Sequence, residues 1–191
     1  MESNNKTILI LVNKQTTIVN FRLEVVAALV NAGYNVYVSV PDGDRISEIE
    51  AVGAKIIITP MDKESTNPVK DLLLMNKYRS MIKSVSPDLV LTYTIKPNIY
   101  GGMAASLKKV PYAANITGLG TALENGGILK KISVTLYRLG FRRISRVFFQ
   151  NESNMQFFVN NKLALGKHFL LPGSGVNLEN SIFWIFRKMM L

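Results

Sequence analysis

The sequence predicts a doubly wound α/β domain with a mainly parallel sheet of about seven strands. Three observations carry that expectation. Short, near-continuous runs of Val, Ile and Leu recur along the chain, as strands buried on both faces require. Segments with apolar residues three and four apart alternate with them, which is the helical period. Gly, Pro, Asn and Asp stand at the junctions, and there is neither an internal repeat nor a low-complexity tract.

Taken in order, "TILILV" (Thr7 to Val12) is the first strand. Asn20 is expected to cap a helix whose apolar positions are Phe21, Val25, Ala28 and Leu29, and Gly33 ends it. Tyr34 to Val40 is the second strand, closed by Pro41, and a short helix over Ile46 to Val52 leads through Gly53 to a third strand, Ala54 to Pro60. Thr66, Asn67 and Pro68 introduce a helix from about Val69 to Ser84, and Pro87 to Thr94 is the fourth strand. Pro97 suits the first turn of the next helix, where a missing N–H costs nothing. Pro111 to Thr117 is the fifth strand, and the loop "GLGTALENGG" precedes a basic helix from about Ile128 to Ser145. Arg146 to Asn151, a helix near Glu152 to Asn161, and a seventh strand near His168 to Leu171 complete the rhythm. The segment from 180 to 191, apolar and basic, falls outside it.

Composition bounds the chemistry. The 191 residues are 48% hydrophobic, enough for a substantial core, and carry a net charge of +10, which favours anionic partners. The absence of cysteine excludes disulfides, zinc–thiolate sites and thiol nucleophiles. His168 is the sole histidine and reads as a strand-edge residue, so Ser–His catalysis and paired-histidine metal sites lack their parts. The apolar run Ile8 to Val12 is too short for a signal sequence or for a membrane span of ~20 residues. Nucleic acid is disfavoured as well, because no aromatic platforms interleave with the basic residues.

In a parallel sheet the ligand site lies at the carboxyl ends of the strands, near the point where strand order reverses. The loop after the first strand, "NKQTTIVN", contains no glycine and thus lacks the dinucleotide fingerprint. "TYTIKPNIYGG" places Tyr93, Thr94, Lys96 and Asn98 at a helix start, where backbone N–H groups favour an anion. "NITGLGTALENGG" offers Gly118 and Gly120 for positive φ and an anion-binding nest, with Thr117, Thr121, Glu124 and Asn125 as polar contacts. In the basic helix, Lys130, Lys131, Arg138 and Arg142 fall on one arc, and Ile128, Leu129, Ile132, Leu136 and Leu139 on another. That pattern fits a core-packing helix with a solvated basic face, or a surface that rests on anionic lipid.

Together, "LVNKQTTIVNFRLEVVAALVNAGYNVYVSVP", "DLVLTYTIKPNIYGG", "YAANITGLGTALENGG", "RVFFQNESNMQFF" and "LLPGSGVNLE" resemble the N-terminal half of bacterial family 4 glycosyltransferases of capsule, exopolysaccharide and O-antigen assembly. The resemblance runs from Lys6 to about Glu179. It implies a Rossmann-like domain, the acceptor side of a two-domain GT-B enzyme, over residues 1–179. Residues 180–191 would then be an aberrant or truncated tail ahead of a missing donor-binding domain. The implied reaction is retaining and metal-independent, with no cofactor and with a nucleotide-sugar as donor substrate. The implied partners are a lipid-linked saccharide acceptor, the anionic inner face of the cytoplasmic membrane, and a donor domain carried by a separate chain.

Transferred position by position, the resemblance turns Thr16, Thr17, Gly118 and Gly120 toward the donor phosphates or the acceptor. Lys96, Asn98, Thr121, Glu124 and Asn125 would line the sugar and acceptor cleft, and Asn151 and Glu152 would supply a polar contact at the end of the sixth strand. Many relatives have a histidine where this chain reads Thr117-Gly118, so no catalytic residue is assigned. A non-catalytic acceptor- or membrane-binding module, or one chain of a split transferase, is the alternative.

Overall fold

The structure, a computed structural model, describes residues 5–61, 67–120 and 127–175. Seven strands form one sheet: β1 (Thr7–Leu11), β2 (Asn35–Val40), β3 (Lys55–Ile58), β4 (Leu89–Tyr93), β5 (Tyr112–Ile116), β6 (Arg146–Phe149) and β7 (His168–Leu170). Every pairing is parallel, and the order is β3-β2-β1-β4-β5-β6-β7. The expected doubly wound α/β fold is therefore present. Strand order reverses between β1 and β4, which sets the switch point there.

Alternate residues of the strands feed two cores, because successive side chains point to opposite faces. Leu9, Leu11, Val90, Ala114, Val147 and Phe149 pack beneath α4 (Pro68–Val85), α5 (Gly102–Lys108), α6 (Gly127–Gly140) and α7 (Glu152–Asn160). Ile8, Ile10, Val36, Val38 and Tyr93 pack beneath α1 (Gln15–Phe21), α2 (Leu23–Asn31) and α3 (Ile46–Ala51). Phe158 meets Tyr137 and Phe149 edge-to-face, with ring centroids 5.2 and 5.0 Å apart. Each such contact contributes about 1 kcal/mol beyond its buried area.

Local chemistry explains most boundaries. Asn67 caps α4 by accepting from the backbone N–H of Val69 at 2.9 Å, Pro68 opens the first turn, and Ser86 closes it in the left-handed region at φ 48°. Two expectations shift. Asn20 is no cap: it lies inside α1, its Oδ1 accepts from Arg45 Nη1 at 2.6 Å, and Arg22 interrupts what was read as one helix. The helix after Pro97 opens as one π-helical stretch, Pro97–Gly101, before α5.

The orientation of α6 divides its apolar arc. Its buried residues are Val134, Tyr137 and Gly140, whereas Ile128, Leu129, Ile132 and Leu139 are 76%, 59%, 49% and 54% exposed. Of the apolar arc, Leu136 packs against the core, while Ile128, Leu129, Ile132 and Leu139 face outward, as the surface reading rather than the core-packing one expects. Lys130 also leaves the basic arc, since its ammonium lies 5.3 Å from the Phe157 ring centroid, while Lys131, Arg138 and Arg142 are exposed. Gly140 explains the orientation: a Cβ there would lie 2.7 Å from the carbonyl oxygen of Ile99, so this edge alone lets the helix come against the π-helical stretch.

Candidate functional site

At the switch point, Val12 and Asn13 follow the end of β1. Asn13 Oδ1 is buried and has no hydrogen-bond partner among the described residues. Thr16 and Thr17 follow in the first turn of α1, the former exposed and the latter half-buried. Tyr93 closes β4, and Thr94 then adopts φ 71°, a left-handed conformation costly for a β-branched residue, with its hydroxyl bonded to the Tyr93 carbonyl.

Lys96 is not a loose loop charge. Its Nζ donates to Asp71 Oδ1 at 2.8 Å, and the Tyr100 hydroxyl donates to Asp71 Oδ2 at 2.8 Å. Burial, then the hydrogen bond to Asp71, pushes the Tyr100 phenol above its ordinary range. Asp71 and Lys96 line a cavity of about 370 Å³ with Lys70, Lys77 and Met61, beyond the carboxyl end of β3. Asp71 was missed by the sequence reading. Its only signal was an acid in the first turn of α4, which by itself marks helix capping.

Asn98 sits deeper than expected, only 2% exposed, with its Nδ2 donating to the Asn115 carbonyl at 3.1 Å and its Oδ1 without a partner among the described residues. After β5, Thr117 and Gly118 are exposed. Gly120 adopts φ +75° and Gly118 does not enter that region, so only one of the two glycines uses its left-handed freedom. Thr121, Glu124 and Asn125 lie outside the described residues. Asn151 caps α7 by accepting from the backbone N–H of Asn154 at 2.8 Å, and Glu152 is exposed in its first turn.

A second cavity, of about 290 Å³, opens on the α2 side of the sheet between β4 and the segment after β7. Arg22, Tyr93, Asn115 and Ser174 line it. Arg22 is only 6% exposed, its guanidinium lies 5.3 Å from the Tyr93 ring centroid, and its Nη2 donates to Ser174 Oγ at 2.9 Å. Burial raises the Tyr93 phenol against the opposing pull of that guanidinium. Arg22 also escaped the sequence reading, because an arginine among helical residues ordinarily reads as a solvated charge.

Residues 7–151 match the sequence model of the family described as glycosyl transferase 4-like. The chain belongs to that family. The N,N'-diacetylbacillosaminyl-diphospho-undecaprenol alpha-1,3-N-acetylgalactosaminyltransferase of Campylobacter jejuni is 28% identical over 168 residues, which cover 85% of this chain and 45% of the relative. A glycosyltransferase from Rickettsia africae superposes with a TM-score of 0.66 at 16% identity, over 91% of this chain and 44% of that one. A UDP-GlcNAc 2-epimerase from Neisseria meningitidis, bound to UDP-GlcNAc, superposes with a TM-score of 0.63 at 13% identity, over 97% of this chain and 50% of that one. The chain thus spans about half the length of the relatives it matches. At such identities the two structures establish the fold and nothing finer.

In this glycosyl transferase 4-like domain, then, the carboxyl edge of the sheet brings Thr16, Thr17, Lys96 with its partner Asp71, Thr117 and Gly120 to one side, with Arg22 and Asn115 lining the cavity beside β4. No group of three or more His, Asp or Glu is placed to hold a metal ion among the described residues, and no described helix is long and apolar enough to cross a membrane.

Proposed function

We propose that this chain is the acceptor-side domain of a glycosyltransferase that passes a sugar from a nucleotide-sugar to a lipid-linked saccharide at the inner face of the cytoplasmic membrane. The observation that carries the reading is α6. Ile128, Leu129, Ile132 and Leu139 form an exposed apolar stripe, with Lys131 and Arg138 exposed along one side of it and Arg142 exposed just past its end. A helix of that build sinks its apolar side between lipid headgroups and sets its cations against anionic ones. It begins at the carboxyl end of β5, so a lipid-anchored acceptor lying in the membrane would meet the loops of the site. The name of the Campylobacter relative, a transferase acting on a diphospho-undecaprenol sugar, supports the same class of acceptor.

Departure of a nucleoside diphosphate with oxocarbenium-like character at the sugar demands positive charge and N–H groups around the leaving phosphates. Thr16, Thr17, Thr117, Gly118 and Gly120 stand where they would face donor or acceptor, and Lys96 would act through its pairing with Asp71. Asn98 and Asn151 would mainly hold the loops in place. A second, donor-binding domain is the partner this reading requires, supplied in the same polypeptide or as a separate chain.

The test is co-sedimentation with anionic vesicles, with and without an undecaprenyl-diphosphate-linked saccharide. The acceptor should increase retention several-fold, whereas equal retention would sink the proposal. Sugar transfer should not occur without a donor-binding domain; turnover by the 191-residue chain alone with any nucleotide-sugar would overturn that division of labour. Retention that ignores the acceptor but depends on anionic lipid would favour the alternative, a membrane-binding module.

A further inference from the structure

The cavity beside β4 holds a buried cation with no counter-charge among the described residues. Arg22 is 6% exposed, yet among the described residues no carboxylate pairs with it. Its partners are neutral: Nη1 donates to the Phe21 carbonyl at 2.6 Å, Nη2 donates to Ser174 Oγ at 2.9 Å, and the guanidinium carbon lies 5.3 Å from the Tyr93 ring centroid. A guanidinium carries five N–H donors, so the fork retains several. Burying a charge without a partner costs several kcal/mol, and proteins accept that cost where a ligand completes the pair.

The surroundings fit an anion. Ser174 Oγ accepts from Arg22, which leaves its own hydrogen to donate. Asn115, 8% exposed, has its Oδ1 occupied by Gln150 Nε2 at 3.3 Å, so its Nδ2 is the end left for a ligand. Gly173 lies at φ +93° with nothing within 4 Å of where a Cβ would be, so the wall beside Ser174 is thin and roomy. Thr94 adds backbone strain one residue beyond Tyr93, of the kind that clusters at binding sites. Donors converge on a volume of about 290 Å³ lined by no acid, larger than a carboxylate needs.

We propose that Arg22, with Asn115 and Ser174, binds the diphosphate group of a substrate, a role that rests on the transferase reading because both the nucleotide-sugar and a polyprenyl-diphosphate acceptor carry that group. A planar fork engages two phosphate oxygens at once, and charge-assisted hydrogen bonds in a buried site are about twice as strong as neutral ones.

The experiment is calorimetric titration of the full chain with inorganic pyrophosphate, with UDP, and with a water-soluble short-chain polyprenyl diphosphate. Pyrophosphate should bind saturably, and Arg22→Gln should weaken it by about 10- to 100-fold, the scale of a lost charged hydrogen bond. Arg22→Lys should fall between. Tighter binding of UDP or of the prenyl diphosphate, lost in the same variant, identifies which substrate supplies the group. Because no described carboxylate compensates the cation, Arg22→Gln should leave the thermal midpoint unchanged or raised. Absence of saturable pyrophosphate binding, affinity unchanged in Arg22→Gln, or a variant that unfolds because Arg22 merely clamps Ser174 would each overturn the assignment. Vesicle retention can fail while this binding succeeds, so the two proposals fall separately.

Discussion

Lys96 Nζ lies 2.8 Å from Asp71 Oδ1, and both side chains are nearly buried, 13% and 12% exposed. That pair ties the first turn of α4 to the segment leaving β4, and Tyr100 completes it through the second carboxylate oxygen. Removing Asp71 takes the carboxylate from Lys96 and the acceptor from the Tyr100 hydroxyl in a nearly buried place. Asp71→Ala should therefore lower unfolding free energy by about 3 kcal/mol in urea titrations. Replacing both, Asp71→Leu with Lys96→Met, should recover most of it, since the desolvation cost then disappears from both sides. A double variant as unstable as the single one would show that Asp71 acts through something other than its charge partner.

Gly102 and Gly140 make a different kind of contact. A Cβ on Gly102 would stand 2.5 Å from the Gly140 carbonyl oxygen, and one on Gly140 would stand 2.7 Å from that of Ile99. Backbone cannot swing away as a side chain can. Gly140→Ala should cost about 1–3 kcal/mol through overpacking, read as a lower thermal midpoint. Gly118→Ala, where nothing lies within 4 Å, is the matched control and should stay within about 0.5 kcal/mol of the parent.

The fold was legible because it rests on local pattern. Strands buried on both faces, such as Thr7–Leu11, announce themselves as unbroken apolar runs, and Gly33 and Pro68 punctuate the helices between them. The site was legible only in part. Sequence could nominate loops by their position after strands, and Lys96, Thr117 and Gly120 stand at that edge. It could not say that Asp71, 25 residues before Lys96, neutralises it, or that Arg22 meets a serine 152 positions away. Both facts belong to tertiary contact. The helical wheel of α6 left two readings open for a related reason: periodicity locates an apolar arc but not what faces it, and the close backbone approach at Gly140 sets one side inward.

Buried phenols give the domain an alkaline limit. Tyr112 donates to the Gly140 carbonyl at 2.6 Å, and burial pushes its phenol from 10.0 up to about 12. Tyr78 and Tyr137 are displaced in the same direction by the same cause. A group whose folded pKa lies above its unfolded one contributes stability fully present below the unfolded value. That contribution is lost as pH rises toward the folded value, so stability should be flat below about pH 10 and fall between about 10 and 12. Thermal midpoints across that interval, followed with tyrosinate absorbance, should show ionisation and unfolding together. Tyr112→Phe should remove part of the slope; tyrosines that ionise freely near pH 10 in the folded chain would refute the account.

The exposed stripe on α6 separates membrane docking from simple solvation. If the helix only packs on the core, Ile132→Asp with Leu139→Asp should matter little to vesicle binding, and with those side chains 49% and 54% exposed the cost to the fold should be small. If it docks, the same pair should abolish binding to anionic vesicles while leaving the thermal midpoint in place. Lys131→Glu with Arg138→Glu probes the other half of the mechanism. Each basic side chain near an anionic surface contributes about 1 kcal/mol, so losing two should weaken binding by at least about 30-fold. Raising salt should weaken the parent in the same direction through screening, and should have less effect on the charge-reversed variant. Vesicle affinity that survives both pairs of substitutions would leave the apolar stripe to some surface other than lipid.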